Sequence, residues 1–276
     1  MYQFLLNIAK TILPVRFRKW LLRVIAVVSR FIKRIWYFGL RHYCPFCHSH
    51  LRSFVHRGLS LPLFQEAGVL GAGGQWNCPV CQSYDRERLL FLYLSRETTV
   101  FKSPTRFLHI APEQELSKKL RSTRTIDYVS GDLEPVTADM KIDVQEIPFP
   151  DNAFDALICS HVLEHVDDDH KAMSELFRVL NDNGWAILQV PIAMNRKKTD
   201  EDPTITDPKE RERRFGQNDH VRLYGTDYFE RLSSIGFSVE RRDYISELDS
   251  DEKEKYGLFT EEKLIICSRV SANRKP

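Results

Sequence analysis

IPFPDNAFDALICSHVLEHVDDDHKAMSELFRVLNDNGWAILQVP occupies residues 147–191, and its reading decides the fold. The run AFDALICS is short, apolar and bounded by turn residues, which suits a buried strand. HKAMSELFRVL repeats its apolar positions at helical spacing. WAILQV is a second apolar run, closed by Pro191. Strand, helix and strand in that order form a βαβ unit, which sets its two strands parallel. The alternation continues upstream in RFLHIA, PEQELSKKLRS and DYVSGDL, from about Pro104. This pattern predicts an α/β fold with a mostly parallel sheet, doubly wound with helices on both faces.

In such sheets ligands bind beyond the carboxyl ends of the strands. Asp132, with Leu133 beside it in SGDLEP, ends the second strand, and a carboxylate there suits ribose hydroxyls. Asp143, in KIDVQEIPFPDNAFD, ends the third, where its carboxylate and the Val144 amide suit an adenine edge. Ser160 and His161 end the fourth. One acid after a strand reads equally well as a helix cap. The order and spacing of all of them make the stronger pattern.

Residues 147–191 as a whole resemble the class I S-adenosylmethionine-dependent methyltransferases of the small-molecule type. That family's D-A-x-x-L-P-F-x-D-x-S-F-D stretch leads into the fourth strand, and its L-x-x-G-G turn appears here as VLNDNGW. The resemblance runs from about Pro104 to Ser268, with FSVERRDY and KLIICSRV as a closing antiparallel pair. It implies a Rossmann-like methyltransferase domain over 104–270, mostly parallel with its last strand antiparallel, and S-adenosylmethionine as cofactor. In most of the family the first strand runs into an acid and a G-x-G-x-G turn. Here RFLHIAPEQE (106–115) has no glycine: His109 stands for the acid, and Ala111, Glu113 and Glu115 for the glycines. Either the chain turns differently at Ala111–Pro112 and the Glu113 carboxylate takes the cofactor's ammonium, or the domain is a non-catalytic binding module. Retention of Asp132 and Asp143 favours the first. The whole chain is similar to a subset of the family that carries this LHIAPE loop beside a zinc ribbon.

Ahead of that domain stand CPFC (Cys44, Cys47) and CPVC (Cys78, Cys81). Each C-x-x-C presents two thiolates from one knuckle, and two knuckles close a tetrahedral, structural Zn2+ site. Six cysteines in a chain of this size do not suggest a secreted disulfide scaffold, and four of them read as metal ligands in a reducing compartment. A zinc ribbon is therefore expected over 42–95, with Leu59–Gln75 looping out and His48 and His50 ranking below the cysteines as ligands.

Methyl transfer is in-line displacement, and a base is needed only if the acceptor must lose a proton. His161, Glu164 and His165, in SHVLEHV, are candidates, with a helix expected from near Val162. His220 is a fourth, in FGQNDHVRLYG. The proline-punctuated, charged insertion 194–219 before it reads as a mobile lid or acceptor-binding segment.

Net charge is +2, yet no acid precedes Glu66. Within the basic segment 1–41, Val15–Trp36 wound as a helix gathers Trp20, Val24, Val27, Val28, Phe31 and Ile35 on one face. Arg16, Lys19, Arg23, Arg30, Lys33 and Arg34 fall on the other. That pattern suits an anionic membrane surface, while Arg23 and Arg30 interrupt any spanning stretch. An uninterrupted signal-peptide core is not clear either. The expectation is a cytoplasmic enzyme, peripheral on the inner membrane face, acting on a small-molecule, saccharide or lipid-linked glycan acceptor. Methylation of ribosomal RNA is the alternative, with Arg41, Arg52, Arg57, Arg86 and Arg88 facing phosphates. Nucleic acid is the weaker partner, because little aromatic stacking is interleaved with that charge.

Overall fold

A computed structural model of the chain describes residues 15–57, 61–70, 75–259 and 261–269. Residues 1–14 of the basic segment, the side chains of Arg16 and Lys19, and positions 59–60 and 71–74 of the expected excursion lie outside the described residues.

Helix α1 (Val15–Trp36) leads into two hairpins, β1 (His42–Tyr43) with β2 (His50–Leu51), and β3 (Val55–Arg57) with β4 (Gln75–Asn77). Between β3 and β4 sits α2 (Pro62–Glu66). Helix α3 (Asp85–Glu97) then connects to the large sheet. That sheet takes β5 (Thr105–Ile110), α4 (Gln114–Arg121), β6 (Ile126–Asp132), β7 (Met140–Lys141), β8 (Phe154–Ser160), α5 (Asp169–Val179) and β9 (Leu180–Gln189). A cap follows, formed by β10 (Asp200–Glu201), α6 (Pro208–Phe215) and β11 (Arg222–Leu223). The chain closes with α7 (Tyr228–Ile235), β12 (Ser238–Arg242), α8 (Tyr244–Glu247), α9 (Ser250–Tyr256) and β13 (Leu264–Ser268).

Strand order in the sheet is β12-β13-β9-β8-β5-β6-β7. The pairs from β9 to β7 are parallel, and β13 runs antiparallel to both of its neighbours. This is the doubly wound sheet expected of the sequence. Alternation along each strand explains why both faces are covered. Leu157 and Cys159 of β8 join Leu108, Leu188 and Met173 on one face. Ala156 and Ile158 join Phe107, Leu89 and Leu116 on the other.

Three segments depart from expectation. Helix α3 was not anticipated: its Leu89, Leu90, Leu92 and Leu94 are buried and bolt the cysteine-bearing region to the sheet. The described part of the excursion after β3, residues 61–70, is packed rather than looped out. Phe64, Ala67 and Val69 pack with Ala193, Phe215 and Leu223, and Val69 bridges Ala193. The charged insertion, read as a mobile lid or acceptor-binding segment, forms a packed cap: Phe215 is buried, and Arg214 holds Asp200 and Asp202 at 2.8 and 2.9 Å.

Candidate active site

Strand register brings the candidate residues to one edge. Ile110 pairs with Gly131 and with Cys159, Asp132 with Lys141, and Ser160 with Gln189. The residues just beyond, Ala111, Asp143 and His161, follow along the same edge.

The glycine-free turn is made by alanine. Ala111 has φ +48°, in the left-handed region usually left to glycine, and its amide donates to Gly131 O at 2.8 Å. Pro112 and Glu113 follow, and α4 begins at Gln114. The start of α4 has no cap from its own N-cap side chain. Glu87 of α3 supplies one instead: its Oε1 accepts from the amides of Glu115 and Leu116 at 2.8 and 2.7 Å.

His109 is enclosed, with Nδ1 3.0 Å from the Tyr128 hydroxyl and Nε2 2.7 Å from Glu113 Oε2. Burial works against ionisation of Glu113, but His109 outweighs it and holds the carboxyl below its ordinary value. Asp132 is half-buried, its Oδ1 accepting the Glu134 amide at 3.2 Å, and Leu133 beside it is exposed. Asp143 is exposed and accepts the Gln145 amide at 2.9 Å, while Val144 is buried.

A small, partly open cavity, with free volume of about 10 Å³, lies between α3 and the strand ends. That is room for about one water. Arg86, Glu113, Ser160, His161, Gln189 and Glu262 supply its polar lining. Ser160 Oγ and Arg86 Nε are buried there without a hydrogen-bond partner. His161, at φ +56°, sits between two carboxylates, with Nδ1 3.3 Å from Glu164 and Nε2 3.6 Å from Glu262. Burial and the Arg86 charge push its pKa down, but Glu164 and Glu262 prevail and raise it to about 9. Arg86 Nη1 also faces Nε2, at 3.1 Å. Of the two neighbours, the carboxylate suits a charged ring.

No helix starts at Val162. Residues 161–167 form a turn, and α5 starts after Asp168, whose side chain caps the Lys171 amide at 2.9 Å. The turn tucks Glu164 inward and leaves His165 half-exposed. The segment 220–224 is pinned across it. Val221 N donates to Glu164 O at 2.9 Å, Arg222 Nη2 to Asp167 O at 2.9 Å, and the Tyr224 hydroxyl to Asp169 at 2.8 Å. His220 is thereby buried beside His165, ring centroids 4.7 Å apart, and burial lowers its pKa.

The four cysteines converge. Cys44 Sγ lies 3.6 Å from Cys81 Sγ, and Cys47 Sγ 3.7 Å from Cys78 Sγ. Tetrahedral ligands at a Zn–S distance of about 2.3 Å stand roughly 3.8 Å apart, so the sulfurs fit such an ion. The knuckles repeat each other. The His48 amide donates to Cys44 O and the Gln82 amide to Cys78 O, each at 2.9 Å, with His48 and Gln82 both at positive φ. His48 and His50 stay outside the sulfur group, His48 being turned to the Tyr43 hydroxyl at 2.6 Å.

Residues 106–188 match a family model described as a methyltransferase domain. Over these residues the chain is similar to methyltransferase domains. No curated protein matches the chain. Among solved structures, the methyltransferase domain resembles a SAM-dependent methyltransferase from Archaeoglobus fulgidus at 16% identity, TM-score 0.41, covering 66% of this chain and 94% of that one. An S-adenosylmethionine-dependent methyltransferase from Mesorhizobium loti matches at 13% and 0.42, over 60% and 92%. The YcgJ protein from Bacillus subtilis matches at 14% and 0.40, over 66% and 100%. With every one of these scores below 0.5, the assignment rests on the domain match and the sheet itself.

Sequence reading missed Glu87, Glu262 and the meeting of Glu164, His165 and His220. Helix α3 carried a usable signal in Asp85 and Glu87 ahead of an apolar run. The others depend on closure between distant segments.

Proposed function

We propose that the chain transfers the methyl group of S-adenosylmethionine to a small-molecule, saccharide or lipid-linked acceptor. The observation that carries this is the row Asp132, Asp143 and Ser160 along one sheet edge, next to a turn that keeps its left-handed bend without glycine. The residues fit the cofactor: Asp132 offers a half-buried carboxylate for ribose, exposed Leu133 an apolar face, and Ser160 an unpartnered buried hydroxyl. Bound there, the cofactor supplies an electrophilic methyl on a sulfonium. Asp143 and the Val144 amide would orient the adenine, and Glu113, kept ionised by His109, would meet the ammonium. His161, protonated at neutral pH, is in the wrong form to act as a base. The cysteine group would hold Zn2+ as a closed, structural site. The test is calorimetric titration of S-adenosylmethionine and S-adenosylhomocysteine into the protein and into Asp132→Ala. Micromolar binding lost in the variant supports the reading, and no binding to folded wild-type protein sinks it.

The membrane surface as workplace is supported by α1. Val27, Phe31 and Ile35 are 67%, 64% and 64% exposed, so this face does not dock on the core formed by the described residues. No described helix is long and apolar enough to cross a membrane. The RNA reading loses Arg88. It is fully buried, and its guanidinium is spent on the carbonyls of Trp76, Ser83, Tyr256 and Gly257 at 2.7–3.0 Å.

A further inference from the structure

Glu164, His165 and His220 each place a ligating atom within 4.8 Å of the others. Glu164 and His220 are both 1% exposed. Glu164 Oε1 faces His161 Nδ1, whereas Oε2 is buried with no hydrogen-bond partner. A buried carboxylate oxygen left bare is costly, and a cation resolves it.

The histidines are oriented for the same purpose. His220 Nδ1 lies 3.2 Å from Phe215 O, and His165 Nδ1 lies 3.3 Å from Asp219 O. A carbonyl only accepts, so Nδ1 is the donor in both rings and Nε2 is the nitrogen left for a metal. Metal-bound imidazoles are held in this manner, with the far nitrogen donating to a backbone carbonyl. The carboxylate has its own support in His161. Phe64 of α2 stacks on His220 at 6.2 Å and closes one side with an apolar wall.

We propose that Glu164, His165 and His220 form a binding site for a divalent first-row transition metal, separate from the four cysteines. Two imidazoles and one carboxylate suit zinc, iron or manganese, and three protein ligands leave at least one coordination position open. The site lies on the turn after β8, at the ligand-binding edge of the sheet. His165 and His220 then serve as ligands rather than proton acceptors. The proposal stands on these side chains alone and does not require that the methyl-transfer reading hold.

Metal counting tests it without any activity assay. The full chain is stripped by dialysis against chelator, reloaded with Co2+ and washed, then read by elemental analysis and absorption. Cobalt on four thiolates gives an intense near-ultraviolet charge-transfer band. Cobalt on imidazole and carboxylate gives weak visible bands without it. Wild-type protein and His48→Ala are expected to hold two equivalents, with both signatures. His165→Ala, at a half-exposed position, and Glu164→Gln, nearly isosteric, are expected to keep the thiolate band and lose the second equivalent. Near-ultraviolet circular dichroism checks that each variant is folded. Wild-type protein holding one thiolate-type equivalent alone would overturn the site, as would a second equivalent retained by both folded variants.

Discussion

His109 Nε2 and Glu113 Oε2 meet at 2.7 Å beneath the turn that ends β5. The pair spans the bend at Ala111, so the first strand and the start of α4 are locked together by side chains where glycine would give the backbone freedom. Glu113→Ala leaves the enclosed His109 nitrogen without its partner, and a loss of about 2 kcal/mol is expected. Chemical denaturation measures it. Glu113→Gln, which still accepts a hydrogen bond, should recover most of the stability while weakening S-adenosylmethionine binding. Equal binding by Glu113→Gln and wild type would remove Glu113 from the cofactor site.

Ala111 holds φ +48° with a Cβ in place. The left-handed region costs a non-glycine residue about 1–2 kcal/mol, partly offset by glycine's greater freedom in the unfolded chain. Ala111→Gly is therefore expected to stabilise by about 0.5–1 kcal/mol. Ala111→Val, β-branched at the same φ, should destabilise clearly. Urea midpoints for the two variants should move in opposite directions. A loss of stability in Ala111→Gly would mean the turn is not strained.

How far the sequence spoke depends on the range of the interaction. The sheet was legible because 156–159 of β8 and 185–188 of β9 are continuous apolar runs, and burial on both faces demands that composition. The places of Asp132 at the end of β6 and Asp143 just after β7 were legible from their order along the chain. The start of α5 was misplaced because Val162, Leu163 and Val166 mimic a helical stripe, while the decisive signal was Asp168 as cap. The docking of α2 was invisible, because Phe64 meets Phe215 and Leu223 far along the chain. Glu164 and His220 come together by the same kind of closure, and no local pattern announces it.

Glu87 joins α3 to α4 by taking two amides at the helix start. Those amides have no other cap, so Glu87→Ala exposes them within a closed interface. A destabilisation of about 2 kcal/mol is expected. Hydrogen exchange should show faster exchange at Glu115 and Leu116 than in wild type. Unchanged protection there would show that the cap is dispensable.

His161 sets a pH limit. Its folded pKa is about 9 against an ordinary 6.5. A raised value stabilises fully below the unfolded pKa and is lost as pH rises through the folded one. The contribution is present below about pH 6.5 and gone above about pH 9, worth about 3 kcal/mol. At the acid end, Glu113, Glu164 and Glu262, all held below their ordinary values, lose their contribution as they protonate. Denaturant midpoints at pH 6.5 and 9.5 should differ in wild-type protein and differ less in His161→Gln, where the Cys159 and Cys267 thiols, pushed up by burial, keep part of the alkaline loss. A midpoint independent of pH in wild type would place His161 neutral throughout.

The apolar face of α1 is open to solvent. Val27 and Phe31 stand open, and Arg23 and Arg30 are exposed on the other side. Inserting two such side chains below the headgroups is worth about 1.5–3 kcal/mol each. Val27→Glu with Phe31→Glu removes that gain and adds charge repelled by anionic lipid. Partition to phosphatidylglycerol-containing vesicles should fall at least about 100-fold, an energy of roughly 2.7 kcal/mol. Sedimentation with vesicles measures it, with pure phosphatidylcholine as the weak-binding control. The substitutions lie outside the sheet and the cysteine knuckles, so cofactor binding should be unchanged. If wild type and the double variant sediment alike, the membrane is not what covers this face.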